Sequence, residues 1–365
     1  MVSPASSPPR ELLAWFDRHA RDLPWRRRRD PYAIWLSEIM LQQTRVEVVI
    51  PYWERFLSRF PTVEELAAAG VEEVLALWSG LGYYRRARQL HAAAREVVAA
   101  GAFPRTLEGW LALPGIGPYT AAAVASIAFG VVTPVLDGNV ERVLSRRLAL
   151  ADSPKVSTAR RRLLDEGAAL LDPSRPGDGN QALMELGATL CLPRRPKCLL
   201  CPLAAGCRAG TAGTAESYPV AKPKRATEKR RLLVAVVERG AEVLLFRRAE
   251  DSALLAGTWE LPWAEAESGG PAEPALAARY GGAWTLGPRL AEVRHGITFR
   301  DLEVAVHRAE VAGVQRAEAG WFDAAGRARL ALSSLVGKVL GCLSPASSPA
   351  ASAPPARRFR SRRPG

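Results

Sequence analysis

The segment CLPRRPKCLLCPLAAGC, residues 191–207, constrains this 365-residue chain more than any other stretch. It holds four of the five cysteines in the spacing C-x6-C-x2-C-x5-C, and its three prolines oppose a regular helix or strand. Four thiolates this close in sequence can close a tetrahedral metal site, and coordination chemistry alone accepts either Zn²⁺ or a [4Fe–4S] cluster. The spacing therefore predicts a loop folded around a metal centre.

The rest of the chain suits a reducing compartment. The N-terminus MVSPASSPPRELLAWF has no apolar run behind a basic start, and no stretch approaches eighteen uninterrupted apolar residues. Without a secretion signal, clustered cysteines bind metal more often than they form disulfides. We expect a cytoplasmic protein that does not span a membrane, associated with the nucleoid if it is bacterial.

The positive charge is concentrated at the two ends of the chain. Residues 1–229 carry 31 Lys and Arg against 23 Asp and Glu, residues 230–343 carry 14 against 14, and residues 344–365 carry five Arg and no acid. A basic first part and a basic tail favour a polyanionic partner such as nucleic acid, because neutralising phosphates releases counterions. A solvated basic surface is the alternative.

Periodicity predicts a multidomain chain. Residues 1–215 should form an all-α domain of eight to ten helices, with Thr62 and Glu65 as a capping box and Gly70, Gly101 and Gly130 ending helices in the left-handed region. Residues 216–229 read as a linker, and 230–343 as an α+β domain. The final residues 344–365 are too rich in Pro, Ala and Ser to pack, which predicts a disordered basic tail.

Two strand pairs are predicted in the α+β domain. RRLLVAVVERGAEVLLFRR reads as a hairpin that turns at residues 238–240, and EVRHGITFRDLEVAVHRAEV reads as a second pair.

The phrase LPGIGPYTAAAVASIAFG, residues 113–130, predicts a tight turn between two helices. Gly115 and Gly117 flank one apolar residue, so backbone N–H groups at a helix N-terminus can face a phosphate. A plain helix–helix turn is the alternative, and the basic charge of the domain favours DNA.

Two carboxylates far apart in sequence are candidates for acid–base chemistry. Glu38 lies in the apolar helix IWLSEIMLQQT, where burial raises a carboxyl pKa towards the value of a general acid at neutral pH. Asp137 precedes GNVERVL at a helix N-cap, where backbone N–H groups favour the ionised form. One protonated and one charged carboxyl can cleave a glycosidic bond. Each has a plain structural alternative, a cap for Asp137 and a buried partnered acid for Glu38.

Taken in order, the Glu38 helix, GLGYYRRARQLH, LPGIGPYTA, VLDGNVERVL and the cysteine spacing resemble the endonuclease III, or helix-hairpin-helix, superfamily of DNA glycosylases over residues 10–210. The resemblance implies a [4Fe–4S] cluster held by Cys191, Cys198, Cys201 and Cys207. It also implies that the cluster stiffens a loop whose basic residues meet the DNA backbone. The DNA-binding residues that the resemblance implies are Arg194, Arg195 and Lys197 of this loop and Gly115 and Gly117 of the hairpin.

Within that superfamily the chain resembles the MutY family of adenine DNA glycosylases. Bifunctional members carry a lysine nucleophile where this chain has Tyr119, and SEIMLQQT and a fused strand-rich domain are MutY features. The family implies a monofunctional enzyme, a monomer on double-stranded DNA, that removes adenine opposite 8-oxoguanine or guanine. Glu38 would protonate the leaving adenine and Asp137 would stabilise the cationic sugar. Further implied site residues are Tyr119 and Asn139 for catalysis, and Trp25, Arg26, Gln42, Gln43, Thr44, Tyr83, Glu185 and Thr298 for substrate binding, with Gln43 and Tyr83 entering the base stack.

The C-terminal domain resembles the Nudix fold in EVLLFRR and GTWELPW but has no Glu-rich array to hold metal and pyrophosphate. The resemblance implies lesion recognition through residues 297–299, where Ile297 and Phe299 depart from the family's Phe-Ser-His motif and Thr298 keeps a hydroxyl. Two rival functions stay open, a bifunctional glycosylase/lyase for oxidised pyrimidines and a non-catalytic iron–sulfur DNA-binding module.

Overall fold

A computed structural model describes residues 7–220, 227–249, 252, 255–266, 271–297, 299–314 and 318–343. These residues divide into two compact units. The first contains the described residues up to 220, together with those of Arg247–Trp259 and Ala324–Ser333. The second is the strand-rich remainder. No helix in the described ranges has the length and apolar character needed to cross a membrane. The basic tail, residues 344–365, lies outside the described residues.

The helical unit is built from short and medium helices joined by tight turns. Its α-helices are α1 (Pro8–His19), α2 (Pro31–Leu41), α3 (Val46–Arg59), α4 (Val63–Ala68), α5 (Val71–Leu77), α6 (Arg85–Ala100), α7 (Leu107–Leu111), α8 (Pro118–Phe129), α9 (Gly138–Leu148), α10 (Ser157–Ala169), α11 (Pro176–Thr189) and α12 (Arg208–Thr211). Four 3₁₀ turns lie at Pro24–Arg26, Cys198–Leu200, Ala204–Gly206 and Ala215–Ser217.

The predicted helix signals are mostly confirmed. Gly101 and Gly130 end α6 and α8 in the left-handed region, and the Thr62 side chain caps α4 by accepting from Glu65 N. The prediction for Gly70 is wrong, since it has φ −69° and begins α5 instead of ending a helix. Eleven α-helices precede residue 190 in the described chain, not eight to ten, because helices of five to seven residues such as α4, α5 and α7 are shorter than a periodicity window.

Two hydrophobic cores meet at α8. One core gathers residues from α2, α3 and α6 and includes Ala121, Val124 and Ala125 of α8. The other gathers α1, α9 and α11 and includes Ala122 and Ala123 from the same helix. Because α8 is almost purely small and apolar, both cores pack closely on it. The helix therefore fixes the distance between the two halves of the unit.

The second unit contains two sheets. Its strands are β1 (Glu228–Val236), β2 (Glu238–Arg239), β3 (Glu242–Arg247), β4 (Trp259–Glu260), β5 (Trp263–Glu265), β6 (Ala283–Ile297), β7 (Arg300–Ala312) and β8 (Ala319–Phe322). The helices after the linker are α13 (Glu273–Tyr280), α14 (Ala324–Arg327) and α15 (Ser334–Leu343). One sheet has the order β5-β1-β7-β6, and the other places β2, β3 and β4 in order with β8 beside β3.

The predicted β6–β7 pair is confirmed as an antiparallel hairpin, whereas the first predicted pair is only partly correct. Strand β1 pairs with β5 and, in parallel, with β7. Of the segment predicted to pair with β3, only the two-residue β2 does so. Residues Leu232–Val236 are all buried, which suits a central strand with neighbours on both sides. Residues Glu238 and Arg239 are therefore strand, and the turn follows at Gly240, where φ is 61°.

Candidate active site

Helix α2 holds Glu38 in a fully enclosed position. Asp30 caps the helix by accepting from Tyr32 N and Ala33 N, and Pro31 begins it. The residues from Tyr32 to Met40 are all buried, so the helix has no solvent face. The Glu38 side chain is 5% exposed. A carboxyl is therefore placed in apolar surroundings, as its sequence context predicts.

The phenol of Tyr119 is the nearest polar partner of Glu38. Tyr119 lies in the first turn of α8 and its hydroxyl donates to Glu38 Oε2 at 2.7 Å, with Met184 Sδ 3.2 Å away. Burial raises the pKa of Glu38 to about 7, the Tyr119 hydrogen bond lowers it, the negative charge of Asp137 raises it and Arg26 lowers it. Glu38 is therefore close to half protonated at neutral pH, which is the condition of a general acid.

Asp137 is the N-cap of α9, as predicted. Its Oδ1 accepts from Val140 N at 2.7 Å and its Oδ2 accepts from Asn139 Nδ2 at 3.1 Å. Burial nevertheless raises the pKa of Asp137 above its ordinary value, against these hydrogen bonds and the charge of Arg142. From the sequence we expected the cap position to favour the ionised carboxylate. The partial burial of Asp137 favours the neutral form instead, because the cleft limits the access of water to this carboxyl.

Both carboxyl groups line one cleft of about 750 Å³ in the helical unit. Its lining comes from α2 and the following turn, the start of α8, α9 and α11. Twelve predicted site residues line it: Trp25, Arg26, Glu38, Gln42, Gln43, Thr44, Gly115, Gly117, Tyr119, Asp137, Asn139 and Glu185. Its volume can hold a nucleobase and its sugar.

Some predicted residues lie elsewhere. Tyr83 does not line the cleft and is 48% exposed. Arg194, Arg195 and Lys197 are exposed on the cysteine loop. Thr298 lies outside the described residues.

A buried ion-pair network forms one wall. Glu185, 1% exposed, accepts from Arg21 Nε at 2.7 Å and from Arg26 Nη2 at 2.9 Å. Burial pushes the pKa of Glu185 up, but the two arginines outweigh it and hold the pKa below its usual range. Arg26 Nε is buried and has no hydrogen-bond partner in the described part of the chain. The wall thus places a fixed anion beside the cleft.

The sequence analysis missed several cleft residues, among them Arg21 and Met184. Arg21 precedes Trp25 in a short loop, and no periodic signal marks it. Met184 had a usable signal, because Gln181, Met184 and Glu185 share one face of α11 at helical spacing and all line the cleft.

The glycine turn before α8 has the predicted shape. Gly115 has φ 74°, and a Cβ there would come within 2.5 Å of Gln89 Cβ, so only glycine fits. Gly117 is exposed and is the N-cap of α8 without a side-chain cap. The first N–H groups of α8 therefore remain available to an anion.

The cysteine loop is tied to the catalytic half of the unit by two arginines. Arg142 Nε donates to Cys191 O at 2.8 Å while its Nη2 donates to Asn139 Oδ1 at 2.9 Å. Arg146, 2% exposed, donates to Cys191 Sγ at 3.3 Å and to the carbonyl oxygens of Leu192 and Pro193. The position of the loop and that of the Asp137–Asn139 cap are therefore fixed by the same helix.

The four loop cysteines are half-buried and free of disulfides. Burial raises the pKa of Cys201 to about 11, and repulsion from the other three thiols adds to the rise, so the four lie within electrostatic reach of one another. In the described ranges, however, no three His, Cys, Asp or Glu side chains are grouped to hold a metal ion. Four thiolates can hold either a single Zn²⁺ or an iron–sulfur cluster.

The described residues of the predicted recognition segment 297–299 lie where β6 ends and β7 begins, two positions after His295. His295 is half-buried in β6, and burial together with Lys338 lowers its pKa. Ile297 ends β6 and Phe299 precedes β7.

Comparison with known proteins agrees with both halves of this description. Residues 36–167 match the HhH-GPD superfamily of base excision DNA repair proteins, and residues 233–341 match the NUDIX domain. The solved structure of a thermostable thymine-DNA glycosylase is 30% identical, covers 56% of this chain and 95% of its own, and superposes with a TM-score of 0.52. The chain belongs to the HhH-GPD superfamily. Its helical core followed by a Nudix-like α+β unit is the predicted architecture.

Named relatives in the superfamily extend across kingdoms. The adenine DNA glycosylase of Homo sapiens is 42% identical over 307 residues, which cover 69% of this chain and 56% of that protein. The adenine DNA glycosylase of Arabidopsis thaliana is 41% identical over 292 residues, which cover 69% of this chain and 46% of that protein. The chain spans about half the length of these curated relatives.

Proposed function

We propose that this protein is a monofunctional adenine DNA glycosylase that hydrolyses the bond between adenine and deoxyribose where adenine lies opposite 8-oxoguanine or guanine. The observation that carries the proposal is the convergence of Glu38 and Asp137 on one cleft large enough for a nucleobase. The names of the relatives support adenine as the base. The partner is double-stranded DNA, bound by a monomer, and we expect it in the cytoplasm or nucleoid.

The chemistry follows from the two carboxyls. Protonated Glu38 donates its proton to a ring nitrogen of adenine, most simply N7, while the N9–C1′ electron pair leaves with the base. The anionic Asp137 stabilises the positive charge that develops on the sugar. Water then attacks C1′ and gives its proton to the Glu38 carboxylate, which restores the acid. The products are free adenine and an abasic site.

The fixed wall of the cleft suits adenine recognition. The ionised Glu185 lines the cleft and can accept from the exocyclic amino group. Trp25, 7% exposed, supplies an apolar surface in the same cleft. Because the base must leave the stack to reach these groups, its extrusion costs a few kcal/mol that protein contacts have to offset.

The rival glycosylase/lyase function requires an amine at the cleft. None of the described residues that line it is a lysine, and Tyr119 occupies the hairpin position. Borohydride trapping separates the two functions, because only a Schiff base yields a covalent enzyme–DNA adduct. Efficient trapping would replace our proposal with the lyase function.

The direct test uses Asp137→Asn. Asparagine caps a helix as well as aspartate, so the fold is kept while the anion is lost. We expect adenine release from an A:8-oxoG duplex to fall at least about a hundred-fold, as for loss of one transition-state stabilising group, with binding of the duplex retained. Asp152→Asn, at an exposed position, is the matched control. Full turnover by the Asp137→Asn variant would refute the mechanism.

We further propose that Cys191, Cys198, Cys201 and Cys207 hold a [4Fe–4S] cluster. When bound, the cluster would fix the loop so that Arg194, Arg195 and Lys197 face the DNA backbone; its role is structural. Iron and sulfide analysis with visible absorbance tests this, and we expect about four of each per chain, the content of the cluster. Stoichiometric zinc without iron would overturn the proposal.

A further inference from the structure

Two strained residues flank one buried arginine beside the cleft. Gln43, in the turn after α2, has φ 57°, and Tyr83, in the loop before α6, has φ 50°. Non-glycine residues in the left-handed region are strained and persist only where the surroundings fix them. Both residues are exposed, and Tyr83 is the most exposed aromatic residue in the described chain. The groups around both residues must therefore hold them in place.

The buried group between the two loops is Arg86 of α6, which is 8% exposed. Its Nη1 donates to the carbonyl oxygens of Ile39, Met40 and Gln42 at 2.9, 2.9 and 2.6 Å. Its Nη2 donates to Thr44 Oγ1 at 3.2 Å, Leu81 O at 3.4 Å and Gly82 O at 3.2 Å. One guanidinium thus brackets Gln43 on both sides and also binds the two residues before Tyr83.

The chemistry of this site requires a guanidinium. The Ile39 and Met40 carbonyls lie at the C-terminal end of α2, where the helix dipole is negative. These carbonyl oxygens therefore stabilise the positive charge of the guanidinium, as a carboxylate usually does. Burial lowers the pKa of Arg86 to about 10, which leaves it charged at neutral pH. Its guanidinium carbon lies 5.5 Å from the centre of the Tyr83 ring. A lysine ammonium is a point charge and cannot span both loops.

We propose that Arg86 is a positioning residue that holds Gln43 and Tyr83 as one rigid pair which enters the DNA stack when adenine leaves it. The proposal rests on the proposed glycosylase function. A pair that is already ordered loses little conformational entropy on binding, so more of its contact energy is available to offset base extrusion. The geometry therefore assigns Arg86 to extrusion and not to bond cleavage.

The test compares two substrates under single-turnover conditions. In the first, the adenine is paired in a duplex opposite 8-oxoguanine; in the second, the same adenine lies in a three-base mismatched bubble, where extrusion is nearly free. We expect Arg86→Lys to slow adenine release from the duplex at least about tenfold, the factor implied by losing one hydrogen bond from a charged donor. Release from the bubble should stay within about threefold of wild type.

Arg95→Lys is the matched control, because Arg95 lies exposed on the same helix. If Arg86→Lys slows both substrates equally, the residue only supports the Glu38 helix and the inference falls. If it slows neither, the inference also falls. Wild-type protein that releases no adenine from either substrate would overturn the proposed function and this inference with it.

A second variant covers the case in which Arg86→Lys does not fold. Thr44→Val removes one acceptor of Arg86 Nη2 and leaves the guanidinium in place. We expect it to slow release from the duplex about threefold more than release from the bubble, because Thr44 supplies only one of the six acceptors of Arg86. An equal effect on both substrates would contradict the positioning role.

Discussion

Ionisation of the buried Glu38 carboxyl should lower the free energy of unfolding of this protein at alkaline pH. Its pKa is raised from 4.5 to about 7, so the folded protein binds this proton more tightly than the unfolded chain does. Stability from this group is therefore full below pH 4.5 and falls as the pH rises to about 7. The interval of about 2.5 pH units, at about 1.36 kcal/mol for each, is about 3 kcal/mol.

The replacement Glu38→Gln should recover that free energy. Glutamine keeps the size of the side chain and still accepts from the Tyr119 hydroxyl, but it cannot ionise. The quantity to compare is the free energy of unfolding of the variant minus that of wild type at each pH. We expect this difference to favour the variant by about 2–3 kcal/mol more at pH 8 than at pH 5. That difference corresponds to a rise in melting temperature of about 5–10 °C for a unit of this size. Adenine release should be lost at the same time.

The assay is urea unfolding followed by helical circular dichroism at pH 5, 6.5 and 8. Comparing the stability difference between variant and wild type across these pH values removes any effect of the substitution that does not involve a proton. Glu64→Gln, at an exposed position of α4, is the matched control and should show no such dependence. An advantage of Glu38→Gln that is the same at pH 5 and pH 8 would refute the reasoning.

Two further predictions concern the surroundings of the carboxyls. Tyr119→Phe removes the hydrogen bond that lowers the pKa of Glu38, so the loss of excision activity at high pH should move up by about one pH unit; a pH–rate profile in which the decline stays in place or moves down contradicts this. Gly187→Ala places a Cβ 2.6 Å from Asn139 Cβ, so we expect about 1–3 kcal/mol of destabilisation and slower adenine release, whereas Gly70→Ala, with open space around it, leaves both unchanged; equal melting curves and rates for the two variants contradict the packing argument.

The sequence predicted those features of the site that depend on local chemistry. The Asp137 cap, the enclosed Glu38 helix and the glycine turn before α8 each follow from a few adjacent residues. Their meeting in one cleft does not follow from periodicity. It was predicted only because the ordered motifs resemble a known superfamily, since no local rule fixes which helices pack together on α8.

The features that the sequence did not predict depend on tertiary packing. The rise in the pKa of Asp137 comes from burial in a cleft formed by distant helices. The pairing of Arg21 with Glu185 joins residues 164 positions apart, and nothing in the sequence around Arg21 marks it as an ion-pair partner. In the second unit, β1 joins β7 in parallel across some seventy residues, and that choice over the adjacent β3 depends on burial of both faces.

The enclosure of α2 has a consequence for how the reacting bond meets its acid. Nine successive buried residues pack that helix on every side, so the backbone that carries Glu38 is held in one position. In the proposed reaction the nucleotide must therefore move to the acid. Proton transfer can then begin only once the extruded nucleotide has reached Glu38. We therefore expect the turnover rate to depend on solvent viscosity more than on any hinge motion of the protein.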